Sequence, residues 1–195
     1  MMSSLIAEKF TTFETALGRC AIAWNATGIA SLQLPAESDG DIRRWHHRRV
    51  PGAVRDEPPS EVSMVMDAAV RYFRGEPVDF SGVVVDLRGQ SDFFARIYTM
   101  LRTVAYGRTT TYGALAATLG AGPEAAREVG VAMATNPVPL VIPCHRVLAA
   151  GGKIGGFTAP GGAMTKLKML HLENAQMPTP KAPSAPSSTQ GTFEF

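Results

Sequence analysis

A nucleophile stands directly beside a base in the run Pro143-Cys144-His145-Arg146. A thiolate attacks well near neutral pH once a neighbour removes its proton, and a histidine is the residue type that can take it. Adjacent side chains of an extended chain point to opposite sides, so His145 is not expected to touch Cys144 directly. One bridging water meets the geometric need of a general base, and a carboxylate behind the imidazole would fix its tautomer and steady the imidazolium. Glu173 is the candidate for that carboxylate. The same dipeptide also fits a cysteine protease or a structural thiol, and at this level those readings stay open. Cys20, among strand-forming residues, reads as a core thiol, and His171 as a packed helix histidine. Two cysteines and four histidines without C-x-x-C or H-x-x-x-H spacing give no reason to expect a metal or a disulfide framework.

The elements that must position Cys144 follow from periodicity. Val138–Ile142 reads as a short apolar strand entering the corner, after a helix that Pro123 opens and Asn136-Pro137 ends. Thr111–Leu119 is a second short helix and Gly120-Ala121-Gly122 a turn. Helix, turn, helix is a groove-entering unit of DNA-binding proteins, and a plain helical hairpin shares the pattern. Upstream, Ser91 caps a helix to Val104 with Phe94, Ile97, Tyr98 and Leu101 on one face. Past the corner a hairpin punctuated by Gly151-Gly152 and Gly155-Gly156 leads to a last helix, Ala163–Glu173, with Met164, Leu167, Leu170 and His171 on one face.

In the first half, Phe10–Phe13, Cys20–Trp24 and Ile29–Leu34 read as a small antiparallel sheet, and Glu61–Phe73 as a helix stopped by Gly75. Val83–Leu87 reads as a short strand and the basic stretch Asp41–Pro59 as a surface segment or loop. From Gln176 onward Pro, Ser and Thr without periodicity read as a disordered tail. The expected division is residues 1–89, residues 90–174 and a tail, 175–195.

The 195 residues, 45% of them hydrophobic, suffice for one body or two small domains. No apolar run approaches the roughly 20 residues of a spanning helix, and Met1–Phe10 lacks a secretory core, so no membrane and a cytoplasmic location are expected. A net charge of +2 excludes little. Its distribution says more: between Gln90 and Asn174 eight lysines and arginines face four acids, which makes that half the anion-facing one.

The run Asn136-Pro137-Val138-Pro139-Leu140-Val141-Ile142-Pro143-Cys144-His145-Arg146-Val147 resembles the signature of the O6-alkylguanine-DNA alkyltransferases. The resemblance extends through Tyr106-Gly107-Arg108-Thr109-Thr110-Thr111-Tyr112-Gly113, Ala125-Ala126-Arg127 and the Gly155–Glu173 segment. It continues more loosely over Gly28-Ile29, Leu34-Pro35 and Tyr72-Phe73-Arg74-Gly75. It implies an α+β chain: a small N-terminal ribonuclease-H-like α/β domain, then a mainly helical, winged-helix-like helix-turn-helix domain that carries the acceptor cysteine. It also implies a DNA-repair methyltransferase that flips an O6-alkylguanine, or an O4-alkylthymine, out of double-stranded DNA. The alkyl group passes irreversibly to Cys144, once per molecule and without a cofactor, and the protein is expected to act as a monomer in the minor groove.

Carried over by motif, Cys144 is the thiolate, with His145, a water and Glu173 as its proton relay. Asn136 orients the turn and Lys166 supports the site from the last helix. The Tyr112 hydroxyl and the Thr158 N–H meet the guanine edge, Phe157 stacks, and the Cys144 and Val147 carbonyls accept from the guanine amine. Arg127 takes the place of the flipped base, with Ala125, Ala126 and Gly130 along the same helix against the DNA. The chemistry agrees: extrusion costs a few kcal/mol, least for a damaged pair, and an inserted side chain recovers part of it.

Four positions depart from the family pattern. Phe157 replaces a frequent Tyr, and the loop Gly155–Gly162 is a residue longer than the commonest form. Glu128 stands where a small residue is usual and Ala134 where some members have a cation, which would weaken non-specific affinity for phosphates. Two other function classes compete: a lesion binder of the same fold that lacks the acceptor cysteine, and a transcriptional regulator. Cys144 speaks against the first, and the missing metal-thiolate cluster against a methyl-sensing form of the second.

Overall fold

A computed structural model describes residues 7–122 and 124–176. The chain begins with strands β1 (Lys9–Thr15), β2 (Gly18–Trp24) and β3 (Ile29–Ala36), each antiparallel to the one before. A two-residue strand, β4 (Val54–Arg55), adds parallel to β1, giving the order β3-β2-β1-β4. Alternation sorts the central strand's side chains. Cys20, Ile22 and Trp24 face one core, while Ala21 and Ala23 face another. Small residues on the second face let helix α1 (Asp39–Arg49) sit close, with Ile42 and Trp45 as its buried contacts. The first face is covered by helix α2 (Ser60–Tyr72) through Val62, Val65, Ala69 and Tyr72. Gly75, at φ +87°, donates to the Tyr72 carbonyl and ends α2 as expected.

The second half is mainly helical. Helix α3 (Asp92–Leu101) is capped by Ser91, whose hydroxyl accepts from Phe94 N at 3.2 Å. Strand β5 (Thr110–Thr111) leads into helix α4 (Tyr112–Thr118), where the Thr111 hydroxyl accepts from Ala114 N. A turn joins α4 to helix α5 (Ala125–Thr135), completing the helix-turn-helix, and helix α6 (Gly162–Leu172) closes the domain. Strand β6 (Val147–Leu148) pairs in parallel with β5.

Several expectations need correction. The basic stretch is not a loop: residues 39–49 form α1, a helix whose apolar side is only Ile42 and Trp45, too sparse to show a periodicity. Val83–Leu87 forms only an isolated bridge, Val85 to Ile29. Val138–Ile142 is a turn rather than a strand, with Leu140 at φ +79° and a single bridge between Pro139 and Ile142. No β-hairpin follows Arg146; β6 takes β5 as its partner, and residues 150–152 make a 3-10 turn. On α6 the buried face is Lys166, Met169 and Leu170, while Met164 is 61% exposed and His171 is also exposed. That face is read wrongly from sequence because two of its inward groups, Lys166 and the following Glu173, are ionisable and satisfied by partners rather than apolar.

The expected tail lies outside the described residues from 177 onward. Its first two residues are placed: Ala175 N donates to the Leu170 carbonyl, and Gln176 pairs with Gly107, Arg108 and Thr109. Among the described residues no helix is long and apolar enough to cross a membrane, and no group of three or more metal-ligand side chains is present. The two halves meet at the Pro137 carbonyl, which accepts from Leu32 N at 3.0 Å and from the Ser31 hydroxyl at 3.1 Å. Trp45 in turn donates to that hydroxyl, and Arg49 reaches the Thr135 carbonyl.

Candidate active site

Cys144 opens a 3-10 turn, Cys144–Arg146, so the chain here is coiled rather than extended. Three devices fix it. Pro143 precedes it, its own N–H donates to Ile142 O at 2.8 Å, and Asn136 spans the preceding turn. The Asn136 amide donates to Ile142 O at 2.8 Å and its carbonyl accepts from Val138 N at 3.0 Å. Asn136 is therefore the clamp on the turn that delivers the cysteine. Burial pushes the Cys144 thiol up, and the nearby Asn136 side chain and Lys166 ammonium pull it the other way.

His145 is fully buried, with its ring against Glu173. Its Nε2 lies 2.7 Å from Glu173 Oε1, which assigns the proton to Nε2 and leaves Nδ1 as the acceptor. Nδ1 is buried without a hydrogen-bond partner among the described residues. Burial holds the imidazole below its usual pKa against the opposing pull of Glu173, so the resting ring is neutral. Glu173 itself is 2% exposed. Burial alone would raise its pKa, but hydrogen bonds from His145 and Arg146 outweigh it and bring it down to about 2. A carboxylate this well satisfied stays ionised through the physiological range.

Three of its partners are not expected from the sequence. Arg146 donates through Nε and Nη2 to both carboxylate oxygens, at 2.9 Å in the closest cases, and through Nη1 to Val104 O. Tyr72, at the end of α2 in the other half, donates to Glu173 Oε1 at 2.9 Å and lies 3.3 Å from His145 Nε2. Gly107 N completes the set at 3.0 Å from Oε2. The sequence contains Arg146 inside the motif and Tyr72 as a landmark, but nothing in spacing links a tyrosine to a glutamate 101 residues away.

Lys166 is fully buried on α6 and donates to Val147 O at 2.5 Å; burial lowers its pKa to about 8. That bond and the turn bond from Val147 N to Cys144 O each engage one lone pair of the two carbonyls expected to meet guanine. Tyr112, the first residue of α4 after β5, lines the same cavity as Cys144. Tyr112, Gly130, Met133, Ala134, Phe157 and Thr158 enclose a cavity of about 130 Å³ that reaches Cys144. The Thr158 hydroxyl bonds Ala134 O and ties this loop to α5. Arg127 stands outside the cavity, exposed on the first turn of α5 beside buried Ala125 and half-buried Ala126, and Glu128 is exposed next to it.

The structure thus brings Cys144, His145, Glu173, Asn136, Lys166, Val147, Tyr112, Gly130, Phe157 and Thr158 together. Ala125, Ala126 and Arg127 form the first turn of α5 away from that group, with Ala125 packed into the core and Arg127 exposed.

With this geometry in view, the comparisons with known proteins are direct. The sequence model of the 6-O-methylguanine DNA methyltransferase ribonuclease-like domain matches residues 9–87, and that of its DNA binding domain matches residues 92–175. A methylated-DNA–protein-cysteine methyltransferase of Mycobacterium tuberculosis is 36% identical over 87% of this chain and 94% of its own length. A relative of the same name from Mycobacterium leprae is 43% identical over 86% and 93%. A DNA base-flipping protein of Thermus thermophilus is 42% identical over 78% of this chain and 99% of its own. Among solved structures, OGT of Mycobacterium tuberculosis in complex with DNA superposes with a TM-score of 0.68 at 33% identity, covering 85% of this chain and 92% of that one. The chain belongs to the 6-O-methylguanine DNA methyltransferase family.

Proposed function

We propose that this protein repairs alkylated double-stranded DNA by taking the alkyl group from O6 of a flipped guanine onto Cys144. The observation that carries the reading is that Cys144 lines the Tyr112–Phe157 cavity and is followed in the chain by a His145 whose Nε2 is held by an ionised Glu173. Nδ1 is then the ring atom free to take the thiol proton through one water, and Glu173 steadies the imidazolium that results. The thiolate displaces guanine in line; S–C forms, C–O6 breaks, and the departing base gains a proton, for which the Tyr112 hydroxyl is the nearby donor.

The relatives support this reading through their names, and the exposed Arg127 on α5 supports entry into the duplex beside the flipped base. Approach from the minor groove by a single copy belongs to the proposal. Because a thioether is not cleaved by anything in the site, each molecule acts once. The base-flipping relative favours a second reading, recognition without transfer, and Cys144 argues against it. Intact-mass measurement after incubation with an O6-methylguanine duplex decides: one added methyl group mapped to Cys144 is expected. Tight lesion binding with no added mass would establish the binder instead.

A further inference from the structure

One peptide unit ahead of the reactive cysteine is gripped from both sides. The Pro137 carbonyl accepts from Leu32 N at 3.0 Å and from the Ser31 hydroxyl at 3.1 Å, and the N–H of the same unit, on Val138, donates to Asn136 Oδ1 at 3.0 Å. A peptide is planar, so holding its two polar ends fixes the orientation of the whole unit. Asn136 passes the constraint on. Its amide donates to Ile142 O, which also receives the Cys144 N–H. An unbroken path of hydrogen bonds and one rigid peptide therefore runs from Ser31 on β3 to the backbone of Cys144.

Ser31 is itself ordered from behind. Trp45 on α1 donates through Nε1 to Ser31 Oγ at 3.1 Å. A hydroxyl has one proton to give, and an oxygen that accepts the indole N–H directs that proton to its other neighbour, the Pro137 carbonyl. Ser31, Trp45, Asn136 and Pro137 are all buried, so these bonds act in a low-dielectric interior where each constrains geometry strongly. Neither Ser31 nor Trp45 lines the Tyr112–Phe157 cavity. Any influence they have on the sulfur must pass through the turn.

We propose that Ser31, oriented by Trp45, is a positioning residue for Cys144: its hydroxyl holds the Pro137–Val138 peptide, and through it the Asn136 side chain, in the arrangement that presents a reactive thiol. The proposal rests on the transferase reading of Cys144 and gives the N-terminal half a share in the chemistry. Two effects follow when the hydroxyl is lost. The peptide is free to tilt on its remaining bond to Leu32, which displaces the sulfur from its line of attack. The Asn136 side chain, which pulls the thiol pKa down, draws away, and the thiolate fraction falls.

The test reads two properties of Ser31→Ala. Single-turnover transfer from an O6-methylguanine duplex at saturating DNA should slow about tenfold with duplex affinity unchanged, the scale of a small misplacement of a reacting group. The pH profile for alkylation of Cys144 by iodoacetamide, read at its own peptide, should shift upward. Ser31→Thr, which keeps a hydroxyl, should restore both. Ser31→Ala also leaves the Trp45 N–H buried without an acceptor, so the double variant Ser31→Ala, Trp45→Phe removes that second fault. It should stay slow and shifted while melting recovers. A double variant that transfers at the wild-type rate, or a Ser31→Ala protein that loses melting temperature alone, overturns the proposal. So does slowing matched by an equal loss of duplex affinity, which would place Ser31 in DNA binding. Failure of the wild type on O6-methylguanine would bring down the transferase reading, and the alkylation profile would still decide for or against Ser31.

Discussion

Cys20 and Cys144 are both buried free thiols, 0% and 4% exposed, and burial raises the pKa of each. For Cys20 on β2 that burial prevails, pushing the thiol up to about 12 against a weak pull from Thr15. Its neighbours Ile22, Leu32 and Leu34 belong to the apolar core. Cys144 has Asn136 and Lys166 pulling it back, a neutral imidazole beside it in the chain, and two cavities that reach it. A buried thiol is inert by default. What distinguishes the second site is polar company that can accept a proton and an opening through which an electrophile can arrive.

The sharpest way to break the contrast is to remove each sulfur in turn. Cys144→Ala should abolish alkyl transfer outright and keep the fold, whereas Cys20→Ala should transfer normally and lose about 1 kcal/mol of stability. Intact mass after reaction and thermal melting measure both, and any stoichiometric transfer by Cys144→Ala would end the assignment.

Next in size is the polar company. Glu173→Gln frees the His145 tautomer and leaves Arg146 buried without its counter-charge. Transfer should slow about a hundredfold or more, and stability should fall by about 3 kcal/mol. The pH dependence has a definite sign. Glu173 titrates near 2 in the fold against 4.5 for an unperturbed glutamate carboxyl, so its stabilisation is complete above 4.5 and is lost as pH falls toward 2. His145, held below 6.5, adds a loss of stability on acidification from that value downward. Melting of wild type should therefore decline from pH 6.5 and steepen below 4.5, and the Gln variant should lack the steeper part. An identical acid profile for both proteins would show that Glu173 is not the anchoring charge.

Access gives a smaller effect that depends on substrate. Arg127→Ala should slow repair of duplex about ten- to hundredfold at saturating DNA and leave reaction with free O6-benzylguanine nearly unchanged, since a free base needs no extrusion. Equal slowing on both substrates would move Arg127 from the duplex to the pocket.

Smallest is Tyr72→Phe. Without the hydroxyl, Glu173 keeps more charge for His145, so the acid limb of the pH–rate profile should shift upward while the rate near neutrality falls about threefold. Loss of melting temperature with an unmoved acid limb would mean that Tyr72 is packing only.

How much of this was legible beforehand depends on the range of the interactions. Ser91 and Thr111 announced their helices because a cap acts three residues away, and Pro143-Cys144-His145-Arg146 announced a corner because proline restricts the chain locally. Val138–Ile142 misled because an apolar run reads alike as a strand and as a buried turn, and only the Asn136 clamp distinguishes them. Helix α1 was hidden by its own charges. The pairing of Glu173 with His145 was guessed from chemistry, but Tyr72 and Gly107 reach that carboxylate through tertiary contacts that no periodicity encodes.

The Pro137 carbonyl has a wider consequence. It accepts from Leu32 N and the Ser31 hydroxyl in the first half, and it sits one residue after the clamp that holds the reactive corner. Strand β3 is in effect a splint on the catalytic turn, and Tyr72 is a second one on its far side. The boundary between the halves is therefore a poor place to cut. A C-terminal fragment would retain α4 and α5, the parts shaped for a duplex, but would lack both splints, separating the ability to find DNA from the ability to react with it.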